Sequence, residues 1–214
     1  MTRGAHTFDP DCRQCPRLAQ FLDEVRVKHP GYHCRPVPPF GDPDARLLVV
    51  GLAPGMHGAN ATGRPFTGDH AGILLYQMLH EFGFATHAES VSATDSLRLT
   101  GCRITNAVKC LPPENKPVGA EINTCNKFLA NELAAMPPRS VVFALGGIAH
   151  RAVIRSVGGR QAAYKFGHAA EHKVGDLFTV LDSYHCSRYN TNTRRLTTEM
   201  FRAVFARAHE LLHA

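Results

Sequence analysis

The sequence predicts an α/β fold in which a parallel sheet is sandwiched between helices. Two observations predict it. Along the 214-residue chain, short apolar runs alternate with segments whose apolar residues recur at helical spacing, the pattern of strands joined by crossover helices. A long loop, Gly51-Leu-Ala-Pro-Gly-Met-His-Gly-Ala-Asn-Ala-Thr-Gly-Arg-Pro-Phe-Thr-Gly-Asp69, separates one such run from the helix that follows it. Ligands of open α/β sheets bind at the carboxyl ends of the strands, where such loops lie. Glycines at 51, 55, 58, 63 and 68 let this backbone turn and approach a ligand closely. The loop holds His57, Asn60, Arg64, Phe66 and Asp69, so it reads as a site more than as a connector. It carries neither a dinucleotide fingerprint nor a P-loop.

The elements follow in order. Residues 1–11 read as unstructured. Residues 12–28 form a helix, with Leu18, Phe21, Leu22 and Val25 on one face and His29-Pro30-Gly31 ending it. The proline-rich stretch 30–46 is an extended loop. Residues 47–51 are the first strand, and 71–82 the helix after the glycine-rich loop. Residues 103–109 are the second strand, leading directly into Cys110 and a proline-rich loop. A helix over 121–135 follows, then the third strand at 140–147 and a helix over 148–157. Residues 177–181 are the fourth strand, and 182–195 its exit loop. Thr197 caps a last helix whose apolar face is Met200, Phe201, Val204, Phe205 and Leu211. In a parallel sheet, Asn106, the 51–69 loop and the His185 loop then converge on one edge.

A single domain over residues 1–214 is expected, and 44% hydrophobic residues suffice for its core. No apolar run of 18 residues suggests a membrane helix. The N-terminus lacks an apolar signal core, so a cytoplasmic protein is expected. The formal net charge of +6 suits a polyanionic partner.

Seven cysteines are many for such a chain, and cytosolic disulfides are rare. Cys12 and Cys15 form C-x-x-C, and Cys110 and Cys125 form C-x14-C around a Leu-Pro-Pro-Glu-Asn-Lys-Pro segment. Together these four can bind zinc or an iron–sulfur cluster, with spacing alone putting zinc slightly ahead. A redox C-x-x-C is a third reading, but no strand precedes it. Cys34, Cys102 and Cys186 stand alone as ordinary buried residues.

Four blocks carry a resemblance: Gly51-Leu-Ala-Pro-Gly-Met-His-Gly-Ala-Asn, Gly63-Arg-Pro-Phe-Thr-Gly-Asp, Thr105-Asn-Ala-Val-Lys-Cys-Leu-Pro-Pro-Glu-Asn-Lys-Pro and Ser183-Tyr-His-Cys-Ser-Arg-Tyr-Asn-Thr. Their order, with both cysteine pairs, resembles the uracil-DNA glycosylase superfamily, and within it the iron–sulfur-containing family 5. The resemblance spans about residues 12–197. It implies a four-stranded parallel sheet between helices. It also implies a 4Fe–4S cluster on Cys12, Cys15, Cys110 and Cys125 rather than zinc, held by an N-terminal iron–sulfur-binding segment. Many superfamily members carry an acidic or amide residue just after the first glycine of the first block. Here Leu52 and Ala53 stand there, and Asp69 is the replacement that family 5 implies.

The implied activity is hydrolysis of the N-glycosidic bond of uracil, or of another deaminated base such as hypoxanthine or xanthine, in double-stranded DNA. The base must be flipped from the duplex into a pocket. Phe66 can stack on its ring, and Asn106 can read its edge. His185 can hydrogen-bond the oxygen that gains charge as the bond breaks. Asp69 can orient water and stabilise the cationic sugar; its position also fits a helix N-cap. Gly51, Ala53, Pro54, Gly55, His57 and Asn60 line the substrate side. Ser187, Arg188, Tyr189 and Asn190 follow His185 where the superfamily enters the minor groove, with Arg188 or Tyr189 as wedge. Lys109, Arg194 and Arg195 are candidate phosphate contacts. A monomer acting at the nucleoid is expected. The competing readings are a non-catalytic, metal-stabilised nucleic-acid-binding module and a hydrolase of free nucleotides.

Overall fold

A computed structural model describes residues 8–213. The expectation for residues 1–7 lies outside the described residues. Six strands form one sheet in the order β1-β3-β2-β4-β6-β5. They are β1 (Phe40–Gly41), β2 (Leu47–Gly51), β3 (Cys102–Asn106), β4 (Ser140–Leu145), β5 (Glu171–Val174) and β6 (Phe178–Ser183). The central four, β3-β2-β4-β6, are all parallel. These are the four strands expected from sequence. The correction is at the edges, where β1 pairs antiparallel with β3 and β5 antiparallel with β6. The sheet therefore has six strands and is mixed. The inner strands β2 and β4 are buried along their whole length and read as continuous apolar runs. β1 has two residues, and β5 alternates with exposed Glu171 and Lys173, so neither carries that signal.

The helices are α1 (Pro16–Lys28), α2 (Ala59–Thr62), α3 (His70–Glu81), α4 (Gly119–Ala134), α5 (Gly147–Ser156), α6 (Arg188–Asn192) and α7 (Thr198–His213). Helix α1 starts at residue 16 rather than 12 because Cys15 is extended and Pro16 opens the helix. Thr197 does cap α7, its Oγ1 accepting the Met200 N–H at 3.2 Å. The short α2 and α6 lie inside stretches expected to be loop.

The alternation of β-strand side chains sorts two cores. Leu47, Val49, Ile104, Phe143 and Leu181 face α3 and α7, meeting Leu75, Leu79, Phe201 and Phe205. Leu48, Val50, Val142, Ala144 and Val180 face α4 and α5, meeting Leu129, Leu133, Ala149 and Val153. Helix α1 lies outside these layers, with Leu18 on Val108, Cys125 and Phe128, and with Leu22 and Val25 on Cys34 and Leu111. No helix among the described residues is long and apolar enough to cross a membrane.

Candidate active site

The last register pair of β2 and β3 is Gly51 with Asn106. A Cβ on Gly51 would lie 2.4 Å from Asn106 Oδ1 and 2.7 Å from the Phe66 ring. Only glycine lets these two side chains close over the strand end. Phe66 is a non-glycine residue at φ 54°, a conformation retained where surroundings over-determine it. Its carbonyl rests on Gly72 of α3, where a Cβ would come within 1.8 Å. The Phe66 and His185 rings lie 5.9 Å apart at 27°. A cavity of about 230 Å³ opens here, with Leu52, Ala53, Gly55, Phe66, Asp69, Asn106, Asn115, His185 and Ser187 in its wall. The expected convergence of the three exit loops is thus present.

Asp69 is both a helix cap and a wall residue. Its Oδ1 accepts the Gly72 N–H at 2.9 Å, while Oδ2 turns toward Gly58, where a Cβ would stand 2.6 Å away. Burial pushes its pKa above the ordinary carboxylate value, against the lowering effect of the Gly72 and Ala71 N–H groups and of His70. Burial pushes His185 down to about 4, so its imidazole is neutral near pH 7. Among the described residues its ring makes no hydrogen bond to protein, which leaves its nitrogens to a ligand. The outer cleft continues past Met56, His57, Ile73, Val91 and Arg188.

A model of the Uracil DNA glycosylase superfamily matches residues 38–209. The chain belongs to the uracil-DNA glycosylase superfamily. Among its relatives is the type-5 uracil-DNA glycosylase of Thermus thermophilus, 46% identical over 205 residues, covering 94% of this chain and 93% of the relative. The type-5 enzyme of Pyrobaculum aerophilum is 44% identical over 202 residues, covering 92% and 88%. The type-4 uracil-DNA glycosylase of Sulfurisphaera tokodaii is 29% identical over 200 residues.

Several residues expected at the superfamily's substrate and DNA faces lie elsewhere. Lys109 is buried, its Nζ on Glu132 Oε1 at 2.6 Å and on Thr105 Oγ1. It faces the protein interior and no phosphate. Asn60 is fully buried in α2 and donates to Cys34 Sγ at 3.6 Å, so it lines no part of the cavity. Pro54 is buried, and the cavity wall passes through its neighbours Ala53 and Gly55 instead. Asn190 points inward, donating to the His185 carbonyl at 2.8 Å. Arg64, which the sequence marked only as part of the glycine-rich loop, runs inward to Asp95 at 2.6 Å. Arg188, Tyr189 and Arg194 are exposed, with Ser187 capping the α6 turn that carries the first two. Arg195 lies 4.8 Å over the Tyr184 ring. His57 shares a hydrogen bond of 2.9 Å with the Tyr32 hydroxyl at the rim.

Asn115 went unrecognised in the sequence, hidden in a loop read only as proline-rich. It lines both the inner cavity and the outer cleft. Two successive left-handed residues, Glu114 at φ 55° and Asn115 at φ 57°, turn it there. Asn tolerates that conformation better than most residues.

Cys12, Cys15, Cys110 and Cys125 line one small cavity beneath α1, beside Leu18, Val108 and Phe128. Burial, then the neighbouring thiols, push Cys110 up to about 12, and burial pushes Cys125 up to about 11. Four such groups ionise together only against a positively charged group. The Lys109 N–H already donates to Cys125 Sγ at 3.3 Å. Four thiols facing one cavity are a donor set that fits either a structural zinc or an iron–sulfur cluster.

Proposed function

We propose that the protein is a monofunctional DNA glycosylase that hydrolyses the N-glycosidic bond of uracil, and of other deaminated bases, in double-stranded DNA. The product is an abasic site. The observation that carries this reading is the presence of Asp69 and a neutral His185 in the wall of one cavity, together with Phe66 and Asn106. A binding module gains nothing from a buried carboxylate beside phosphates.

A flipped base enters the cavity and stacks on Phe66, and the Asn106 amide reads its edge. Neutral His185 donates to the base oxygen on which charge accumulates. Asp69, in its ionised form, holds a water for attack at the sugar C1′ carbon and offsets the positive charge growing there. The Gly72 and Ala71 N–H groups keep it in place. Arg188 and Tyr189 fill the gap in the stack, and Arg194 and Arg195 meet phosphates. Asn115, which borders both spaces, contacts the bound nucleotide. The four cysteines hold a 4Fe–4S cluster whose part is structural, tying α1 to the loop after β3. Residues 1–214 act as one domain and as a monomer, in the cytoplasm at the nucleoid.

The test is incubation with a uracil-containing duplex followed by alkali. Strand scission at the uracil is expected, and none with a thymine control. Binding without scission would favour the module instead.

A further inference from the structure

Among the described residues the His185 ring makes no hydrogen bond, and beside the Phe66 ring stacked on it its position depends on the backbone beneath it. On the carboxyl side, Asn190 holds the His185 carbonyl. On the amino side, the Tyr184 N–H donates to His168 Nδ1 at 3.3 Å. An N–H can only donate, so Nδ1 is the bare nitrogen and Nε2 carries the proton. His168 also stacks on the Tyr184 ring, with centroids 5.0 Å apart at 21°. We propose that His168 is a positioning residue for His185: its Nδ1 and its ring face fix the Tyr184 peptide from which the His185 donor projects. This rests on the glycosylase reading above.

The segment carrying His168 is itself anchored from below. The Asp182 carboxylate meets His150 Nδ1 at 2.8 Å and His172 Nε2 at 3.2 Å. His150 Nε2 is 2.9 Å from the Tyr164 carbonyl, which can only accept. Two ligands of one tetrahedral zinc stand about 3.3 Å apart, so the 2.8 Å pair is a hydrogen bond. The cluster is a buried polar network, satisfied and rigid. The Asp182 N–H donates to the Ala170 carbonyl, and the Ala169 N–H to the Asp182 carbonyl, both at 2.9 Å. The strand that leads to His185 thus grips the segment on which His168 sits.

The test compares His168→Phe, which keeps the ring stack and lacks the acceptor, with His168→Asn, whose amide oxygen can take the Tyr184 N–H. His168→Phe is expected to lower kcat by roughly 10- to 100-fold, the scale of a misplaced catalytic group, with KM and duplex affinity unchanged. His168→Asn is expected to recover most of that loss. In the wild-type protein, imidazole 15N resonances should show Nδ1 unprotonated at neutral pH, a measurement that does not depend on either variant folding. A His168→Phe protein at the wild-type rate, a His168→Asn protein as slow as Phe, a loss confined to KM, or an Nδ1–H tautomer overturns the assignment. A wild-type chain that leaves uracil in place sinks the glycosylase reading and this one with it. A wild-type chain that cleaves while His168→Phe keeps pace sinks this one alone.

Discussion

Asp69 is asked to do two things, and one substitution separates them. Asp69→Asn keeps the size and most of the capping ability but removes the charge. A cap alone is worth about 1 kcal/mol, so a capping role predicts a small stability loss and an unchanged rate. A charge that stabilises the cationic sugar predicts a kcat lower by roughly two orders of magnitude or more, with duplex affinity kept. Single-turnover cleavage, affinity and thermal midpoint on one preparation decide it; full activity in the variant would send the search for the carboxylate elsewhere. The pH dependence carries a sign. Burial raises the Asp69 pKa, so the folded state holds this proton more tightly than the unfolded chain. Ionisation therefore weakens folding as pH rises through the raised value, and Asn at 69 escapes that penalty. Activity moves the other way, rising with pH as Asp69 ionises, and this acid limb should vanish in the variant. His185, pushed down to about 4, adds no limb near its ordinary value. The sequence pointed to Asp69, Phe66, Asn106 and His185 because each sits at a strand end or in its exit loop. It misread Lys109, Asn190 and Asn60 because a motif does not say which way a side chain turns.

Between strand and helix, the inner strands were visible as apolar runs, while β1 and β5 were not, because an edge strand needs no such run. The same limit hid α6. Residues 188–192 carry no apolar face, so they read as loop, yet Ser187 caps them into a turn of helix. That turn matters to the wedge. It presents Arg188 and Tyr189 together at its start, with Tyr189 71% exposed, while Asn190 ties the base of the turn to His185. Arg188 lines the outer cleft, and Tyr189 follows it on the same turn. Replacing Arg188 and Tyr189 together by Ala should lower cleavage of a uracil-containing duplex by a larger factor than cleavage of the same strand single-stranded, since only the duplex has a stacked gap to fill. Both side chains point outward, so the thermal midpoint should stay put. Equal losses on both substrates would take the wedge away from this turn.

At the scale of the molecule, the two sheet cores close without α1. Three things join α1 to the rest: the cysteine cavity with its apolar collar of Leu18, Val108 and Phe128, the packing of Leu22 and Val25 on Cys34 and Leu111, and the Arg17–Glu121 ion pair at 2.8 Å. The loop that leaves Cys110 also delivers Asn115, the fifth residue on, to the active-site cavity. A cluster on the four cysteines would thus hold both an outer helix and one wall of the site. Purified without oxygen, the protein should be coloured and should yield iron and acid-labile sulfide in equal amounts; one zinc in a colourless protein would rule the cluster out. Cys110→Ser should lose the colour. A covalent cross-link between distant segments contributes about 2–5 kcal/mol, and a domain of this size shifts by about 2–4 °C per kcal/mol. The thermal midpoint should therefore fall by roughly 10 °C. The far-ultraviolet signal of the sheet and of α3, α5 and α7 should survive, because the two sheet cores contain none of the four cysteines. Uracil cleavage should fall as well, through the displaced Asn115 loop, although no step of the reaction passes through the metal. Collapse of the whole fold in Cys110→Ser would instead mean that the sheet cores do not stand alone.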